Sequence, residues 1–309
     1  MLAALGSAGH EVSALLTTVN AGIFARRTFC NVHVMQRIPW PKHGYTAASQ
    51  EPTIRAILEA KYDVALIASE EPQAYSFARS GHIPIRVGFH NGWQKPLKSW
   101  WARRQCTRAI YRPAELSEFP AHEVNVQFSL GEGLSAEKAP TDDLRRLRPL
   151  VLDCDRPRQN FALLQLTKKW LAPDRSARDV ANWLQSLRAL GPWRIVAAAS
   201  ERGAVEPIVR RAALCVEYCE NLTAWKDAIA SAGVVLTPDT GAAHLAGMLG
   251  IPVVDIFERQ NFERYARRWA PWATPTRLLK FPLPAGKKTF AETMARCVAE
   301  LRAHCLARA

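Results

Sequence analysis

A chain of 309 residues exceeds one hydrophobic core, so two domains of about 150 residues each are expected. Apolar residues make up 48%, yet no run reaches the ~18 uninterrupted apolar residues of a membrane-spanning helix, which excludes a helical integral membrane protein. The formal net charge of +13 is spread along the chain without the block of about five or six like charges that marks a disordered tail; it fits a polyanionic partner such as nucleic acid, an anionic membrane or a glycolipid, and equally a merely soluble basic surface.

A helix over residues 2–9 that stops on glycine comes first, preceded by neither a basic segment nor a long apolar one, so no signal peptide is expected. Short β-rich runs follow at 12–17, 32–35, 64–68 and 85–89, with helical spacing over 46–61 and over 72–80, where Pro72 sits in the first turn. This βαβ alternation implies a parallel sheet covered on both faces. Residues 134–148 are charged, carry Pro140 and few large apolar side chains, and read as the linker. Beyond it the pattern resumes: strand 161–166, helix 177–190, strand 194–198, helices 204–213 and 222–231, strand 234–236, a further helix, strand 253–257 and an amphipathic helix from 289 to the end.

Between strand 234–236 and the next helix lies Thr237-Pro238-Asp239-Thr240-Gly241. A strand handing over to a helix through small and hydroxyl-bearing residues leaves backbone N–H groups and the positive helix end facing outward, which suits a phosphate or diphosphate. Gly241 lets a ligand approach the backbone, Thr240 adds a hydroxyl, and Gly250 with Pro252 closes the helix. An ordinary helix N-cap, worth about 1 kcal/mol, accounts for the same residues without a ligand.

The seven cysteines, an odd number with no Cys-x-x-Cys pair, read as reduced thiols; Cys215 and Cys219 share a helix face if that segment is helical, but no second ligand pair lies near. No metal is expected. No helix-turn-helix, RNP or zinc-finger pattern supports nucleic acid as the partner.

The string Asp239-Thr240-Gly241-x-x-His244-Leu245-Ala246, then Leu249-Gly250-x-Pro252-x-Val254, resembles the donor-site signature of the ADP-heptose:lipopolysaccharide heptosyltransferases. The resemblance implies the GT-B architecture: an α/β chain of two Rossmann-like, doubly wound domains facing a cleft, with residues 1–148 on the acceptor side, 149–288 binding the nucleotide sugar, and helix 289–309 packing back on the first domain. It implies an inverting, metal-independent glycosyltransferase that moves heptose or a related sugar from an ADP-sugar to an acidic lipopolysaccharide inner-core acceptor, with no cofactor. Such an enzyme is cytoplasmic, in peripheral contact with the anionic inner membrane surface. A non-catalytic nucleotide-sugar or glycan-binding homologue is the alternative.

Carried over residue by residue, the donor set is Thr237, Asp239, Thr240 and Gly241, with His244 supporting the turn. Lys168 of Lys168-Lys169-Trp170 matches the family's Lys-x-Trp lysine and would meet the leaving diphosphate. Glu201, at a strand's carboxyl end, would accept hydrogen bonds from ribose hydroxyls. On the acceptor side, Arg86-x-Gly88-Phe89-His90 resembles the family's Arg-x-Gly-Phe element, and Lys95, Lys98, Arg103 and Arg104 in the tryptophan-rich stretch after it would meet carboxylates and phosphates. One departure stands out. Family members begin with a strand and an Arg-x-x-Gly-Asp type turn carrying the general base, whereas this sequence opens in what would be the following helix, so the first strand is missing. Glu70 and Glu71, after strand 64–68, are the substitute bases if burial there raises a carboxyl pKa.

Overall fold

A computed structural model describes residues 1–24, 30–35, 47–69, 71–113, 121–134, 143, 147–148, 158–187 and 191–306. The chain divides into two compact units, Met1–Leu147 and Arg148–Ala309. Most of the expected linker lies outside the described residues.

In the first unit, helix α1 (Leu2–Ser7) leads into strand β1 (Ser13–Thr17), which pairs in parallel with β2 (Asn31–Met35). Strands β3 (Val64–Ile67), β4 (Ile85–His90) and β5 (Arg108–Tyr111) form a second parallel sheet in that order. Among the described residues these are two sheets rather than the single one expected, and β5 was not anticipated. Helix α2 (Ala47–Ala60), α3 (Pro72–Ser80) and α4 (Pro96–Gln105) supply Ile57, Tyr75, Phe77 and Ala102 to one core, while α5 (Glu123–Phe128) adds Val126 to another that packs on Val87 and Phe89 of β4. Gly88 belongs to this packing: a Cβ there would stand 2.8 Å from both the Tyr75 ring and Cys106 Sγ. The Tyr75 hydroxyl donates to the Phe89 carbonyl at 2.9 Å and accepts from the Phe89 amide at 3.1 Å, and burial pushes its pKa up to about 12.

The second unit holds one six-stranded, all-parallel sheet from β6 (Ala162–Gln165), β7 (Trp193–Ala198), β8 (Glu217–Cys219), β9 (Val234–Pro238), β10 (Val253–Phe257) and β11 (Thr276–Lys280). Its spatial order is β11-β10-β9-β6-β7-β8, so the chain winds outward from β6 in one direction and then from β9 in the other. That is the doubly wound order, with its switch point between β6 and β9. Residues alternate between faces as strand geometry requires: Ala162, Leu164, Val234, Leu236, Val254 and Ile256 join one core cluster, and Leu163, Val196, Val235 and Val253 the other.

Helices α6 (Ala177–Leu187), α7 (Arg202–Ala212) and the C-terminal α11 (Lys287–Leu306) cover the first face; α8 (Leu222–Ala230) and α9 (Gly241–Leu249) cover the second. A further helix, α10 (Phe262–Trp269), links β10 to β11. The last helix, expected to pack back on the first domain, contributes Phe290, Met294, Val298 and Leu301 to the second unit's own core, and Lys287 Nζ pairs with Asp179 at 2.8 Å. The shared helix face expected for Cys215 and Cys219 is corrected: α7 ends at Ala212, and Cys219 is buried in β8 while Cys215 is exposed. No group of three or more metal-type ligands occurs among the described residues, and no helix among them is long and apolar enough to cross a membrane.

Candidate functional site

The best-built polar cluster lies at the carboxyl ends of β6 and β9, where an open doubly wound sheet places its ligands. Gln165 ends β6 and Thr237 is the next-to-last residue of β9; the Thr237 hydroxyl donates to Gln165 Oε1 at 2.6 Å. Thr240, the N-cap of α9, places its own hydroxyl 2.6 Å from the same oxygen and 3.0 Å from Thr237 Oγ1, while accepting the Ala242 amide at 3.2 Å. The turn is thereby fastened to the switch point by one side-chain amide shared between two threonines. Gly250 ends α9 in the left-handed region at φ 70°, and a Cβ there would meet the Arg148 guanidinium at 2.8 Å.

The amide cradle is smaller than the sequence suggests. The Asp239 N–H donates to the Ile256 carbonyl at 2.9 Å, continuing the sheet ladder, and the Ala242 N–H is spent on Thr240. Among the described residues the amides of Thr240 and Gly241 meet no acceptor, and Gly241 is exposed, with only Trp225 within 4 Å of an added Cβ, at 3.6 Å. His244 lies half-buried on α9, its ring 6.0 Å from that of Trp269.

Of the lysine pair, the structure brings Lys169 to the turn: its ammonium donates to the Asp239 carbonyl and lies 3.9 Å from the Asp239 carboxylate. Lys168, the match to the family's element, is exposed. The cause is local. Trp170 is fully buried, its Nε1 donating to the Gln165 carbonyl at 2.9 Å and its ring edge-on to Phe281, and Thr167 caps the 3-10 turn Lys168–Trp170 through the Lys169 amide. With Trp170 seated in the core, the residue directly before it reaches over the sheet edge.

Two further residues belong to this site and escaped sequence reasoning. Arg175 is buried, with its guanidinium 3.7 Å from the Phe281 ring centroid, bidentate to Glu258 at 2.6 and 3.0 Å, and donating to the carbonyls of Lys169 and Trp170. It ties the lysine turn to the end of β10. Arg175 and Glu258 stand 83 positions apart, so no local spacing signals the pair. Asp255, on β10 opposite Thr237 in register, is fully buried, and neither carboxyl oxygen has a hydrogen-bond partner. Burial first, and then the charge of Asp239, push its pKa well above the usual carboxylate range; the Lys169 ammonium acts against this more weakly. An ionisable residue inside the otherwise apolar run Val253-Val254-Asp255-Ile256-Phe257 was the available signal.

Glu201 closes the 3-10 turn Ala199–Glu201 after β7, half-exposed at the start of α7 and on the same sheet edge as Gln165. The sequence also carries one Asp-x-Asp string, Asp153-Cys154-Asp155, a metal-type spacing that the expectation of no metal does not include; it lies outside the described residues.

In the first unit, Glu70 lies outside the described residues, and Glu71 is exposed at the N-cap of α3, so the burial invoked for a substitute base is not found at Glu71. Arg86 turns inward: Nε and Nη1 donate to the Gln105 and Ile83 carbonyls at 2.8 and 2.6 Å, so its charge secures the start of β4 rather than standing free for an acceptor. His90, at the end of β4, is buried beside Arg103, and burial foremost, then the guanidinium, holds its pKa below the ordinary histidine value. Its Nδ1 accepts the Gly92 amide at 3.1 Å, which occupies the basic nitrogen of the neutral ring and makes His90 an organiser of the 90–92 turn. Lys95 is exposed, Lys98 is half-buried with its pKa lowered by that burial, and Arg104 lies over the Trp100 ring at 4.8 Å. His122 caps α5 through the Val124 amide and Glu123 binds Arg112 at 2.6 Å, both structural roles.

No protein-family model matches the sequence, and no curated protein does. Comparison of folds defines the class: an α/β chain with the parallel-sheet architecture of GT-B glycosyltransferases. In particular, the chain is similar to a family 9 glycosyl transferase from Veillonella parvula (TM-score 0.69, 12% identity, 98% of this chain and 93% of that one). It is also similar to the E. coli ADP-heptose lipopolysaccharide heptosyltransferase II (0.66, 13%, 98% and 95%) and to E. coli heptosyltransferase WaaC with ADP (0.67, 15%, 97% and 95%). At these identities the likeness establishes the shared fold.

Proposed function

We propose that the protein is an inverting, metal-independent glycosyltransferase that transfers heptose or a related sugar from an ADP-sugar to an acidic lipopolysaccharide core acceptor, working at the cytoplasmic face of an anionic membrane. The observation that carries this reading is the turn 237–241, fastened through Gln165 to the switch point of the sheet and overhung by Lys169. The fold shared with a heptosyltransferase bound to ADP supports the choice of donor.

In this reading the diphosphate lies against the Thr240 and Gly241 amides at the positive end of α9, Glu201 holds the ribose hydroxyls, and the Lys169 ammonium neutralises charge developing on the leaving oxygen. The acceptor hydroxyl attacks the anomeric carbon as the bond to the β-phosphate oxygen breaks; the hydroxyl proton passes to a base, and ADP departs. Lys169 replaces Lys168 as the proposed phosphate lysine. Lys95, Lys98, Arg103 and Arg104 remain the proposed acceptor cations.

The test is ADP release that requires both ADP-heptose and a core acceptor. Glu70→Gln and Glu71→Gln identify the base if either abolishes turnover while donor binding persists. Because Glu71 is exposed, a second reading stays in view: a nucleotide-sugar-binding homologue without turnover, which calorimetric binding of ADP-heptose without ADP release would establish. Neither binding nor release rejects both.

A further inference from the structure

The first unit displays an apolar and basic face that its own core leaves uncovered. Trp93 is 94% exposed, Leu97 84% and Trp100 60%. Leu97, Trp100 and Arg104 recur at helical spacing along α4 and form one stripe, while Ser99, Ala102 and Gln105 of the same helix are buried. Trp93 precedes the helix in the 3-10 turn Gly92–Gln94, where Gly92 adopts φ +57° and a Cβ would meet the Tyr111 ring at 3.2 Å. Pro96 then starts the helix. Two tryptophans and a leucine this exposed bury little of their apolar surface within the unit. A tryptophan ring buries on the order of 150–250 Å² once something covers it.

The sequence around the stripe carries charges of one sign: Lys95, Lys98, Arg103, Arg104 and Arg108, with neither Asp nor Glu between residues 91 and 112. Arg112, at the end of this stretch, is buried against Glu123 and takes no part in the face. Basic residues with Trp and Leu on a short exposed helix form the composition of an element that lies in a bilayer interface, its rings and aliphatic side chain among the headgroups and its cations at the lipid phosphates. Leu97, the more exposed of the two aliphatic and indole side chains on the helix stripe, offers neither stacking nor hydrogen bonding to a nucleic acid, whereas it partitions readily into acyl chains.

We propose that the face formed by Trp93, Leu97, Trp100 and the surrounding lysines and arginines docks the protein on an anionic phospholipid bilayer. The proposal gives the membrane contact in the proposed function a surface, and takes its biological setting from that reading. Docking itself needs no donor, acceptor or turnover, so the two fail separately.

The full chain is floated with vesicles of phosphatidylcholine containing a third phosphatidylglycerol, and with vesicles of phosphatidylcholine alone, while tryptophan emission is followed. Expected are co-flotation and a blue shift with the anionic vesicles only. Trp93→Ser/Leu97→Ser/Trp100→Ser lowers the partition coefficient at least tenfold, and Lys95→Gln and Lys98→Gln each lower it about fivefold. Unchanged melting temperatures show that these surface variants are folded. Absence of vesicle binding, equal binding to the neutral vesicles, or binding untouched by the triple variant overturns the proposal. So does preferential retention on an RNA homopolymer, or self-association abolished by the triple variant, each of which reassigns the face.

Discussion

The two units put their polar chemistry in opposite places. In the second, the decisive groups stand at the edge of a continuous buried sheet: Gln165, Thr237 and Asp255 occupy neighbouring strands, and each is buried. In the first, the described strands form sheets of two and three, Arg86 and His90 are drawn into local structural bonds, and the most conspicuous side chains lie on the exposed face of one helix. A turn held from beneath by a buried hydrogen-bond network is suited to fixing one small charged group in one geometry. An exposed basic and aromatic face suits a broad partner that needs no such register.

The largest effect should come from cutting the network under the turn. Gln165→Leu leaves the Thr237 and Thr240 hydroxyls without their shared acceptor and is expected to cost about 2–3 kcal/mol. Thermal unfolding should fall by roughly 2–4 °C for each kcal/mol lost. An equal loss from Lys95→Gln would erase the contrast between the units. Next, Lys169→Ala should weaken ADP binding about 10–100-fold, the worth of one charge-assisted hydrogen bond, while Lys168→Ala changes it less than about threefold. The reverse ranking would restore the lysine chosen from the motif. Gly250→Ala should then cost about 1–2 kcal/mol through its left-handed backbone and the Arg148 guanidinium, read by denaturant unfolding.

The smallest effect concerns Asp255, whose folded pKa is raised above the usual value of 3.8. Below that value both the folded and unfolded states hold the proton, so Asp255→Asn and the natural chain differ least. As pH rises from about 4 towards the folded pKa, the unfolded state releases its proton and the folded state keeps it, so the natural chain loses stability across that window. Asp255→Asn should therefore gain in relative melting temperature as pH increases and then level off. A gain that shrinks with rising pH would show that Asp255 is ionised and paired.

Much of the fold was legible because its signals are local. The buried strands Val253–Phe257 and Val234–Pro238 are apolar runs, the α9 helix is bracketed by Thr240 and by Gly250 with Pro252, and each was placed within a few residues. Strands β5, β8 and β11 were missed. Arg108–Tyr111, Glu217–Cys219 and Thr276–Lys280 are edge strands of three to five residues that bury few side chains, so they carry neither an apolar run nor a clean alternation. The turn 237–241 was legible as a candidate site because backbone chemistry follows from residue type. Its support was not, since Gln165, Arg175 and Asp255 act through partners some 70 to 90 positions away or through burial that periodicity does not report. Which lysine of the pair meets Asp239 was not legible for the same reason: the motif fixes Trp170, and the seating of Trp170 in the core brings Lys169 to the Asp239 carbonyl.

The most direct measurement is calorimetric titration of ADP into the full chain and into Gly241→Ala. A methyl group at position 241 meets only Trp225 within the protein, at 3.6 Å, so it leaves folding intact while standing where a diphosphate must approach the backbone. The expected result is ADP binding to the natural chain and its loss, by about tenfold or more, in a variant of unchanged melting temperature. Equal affinity in the two proteins, or no binding to either, would contradict the assignment of this turn as the donor's diphosphate site.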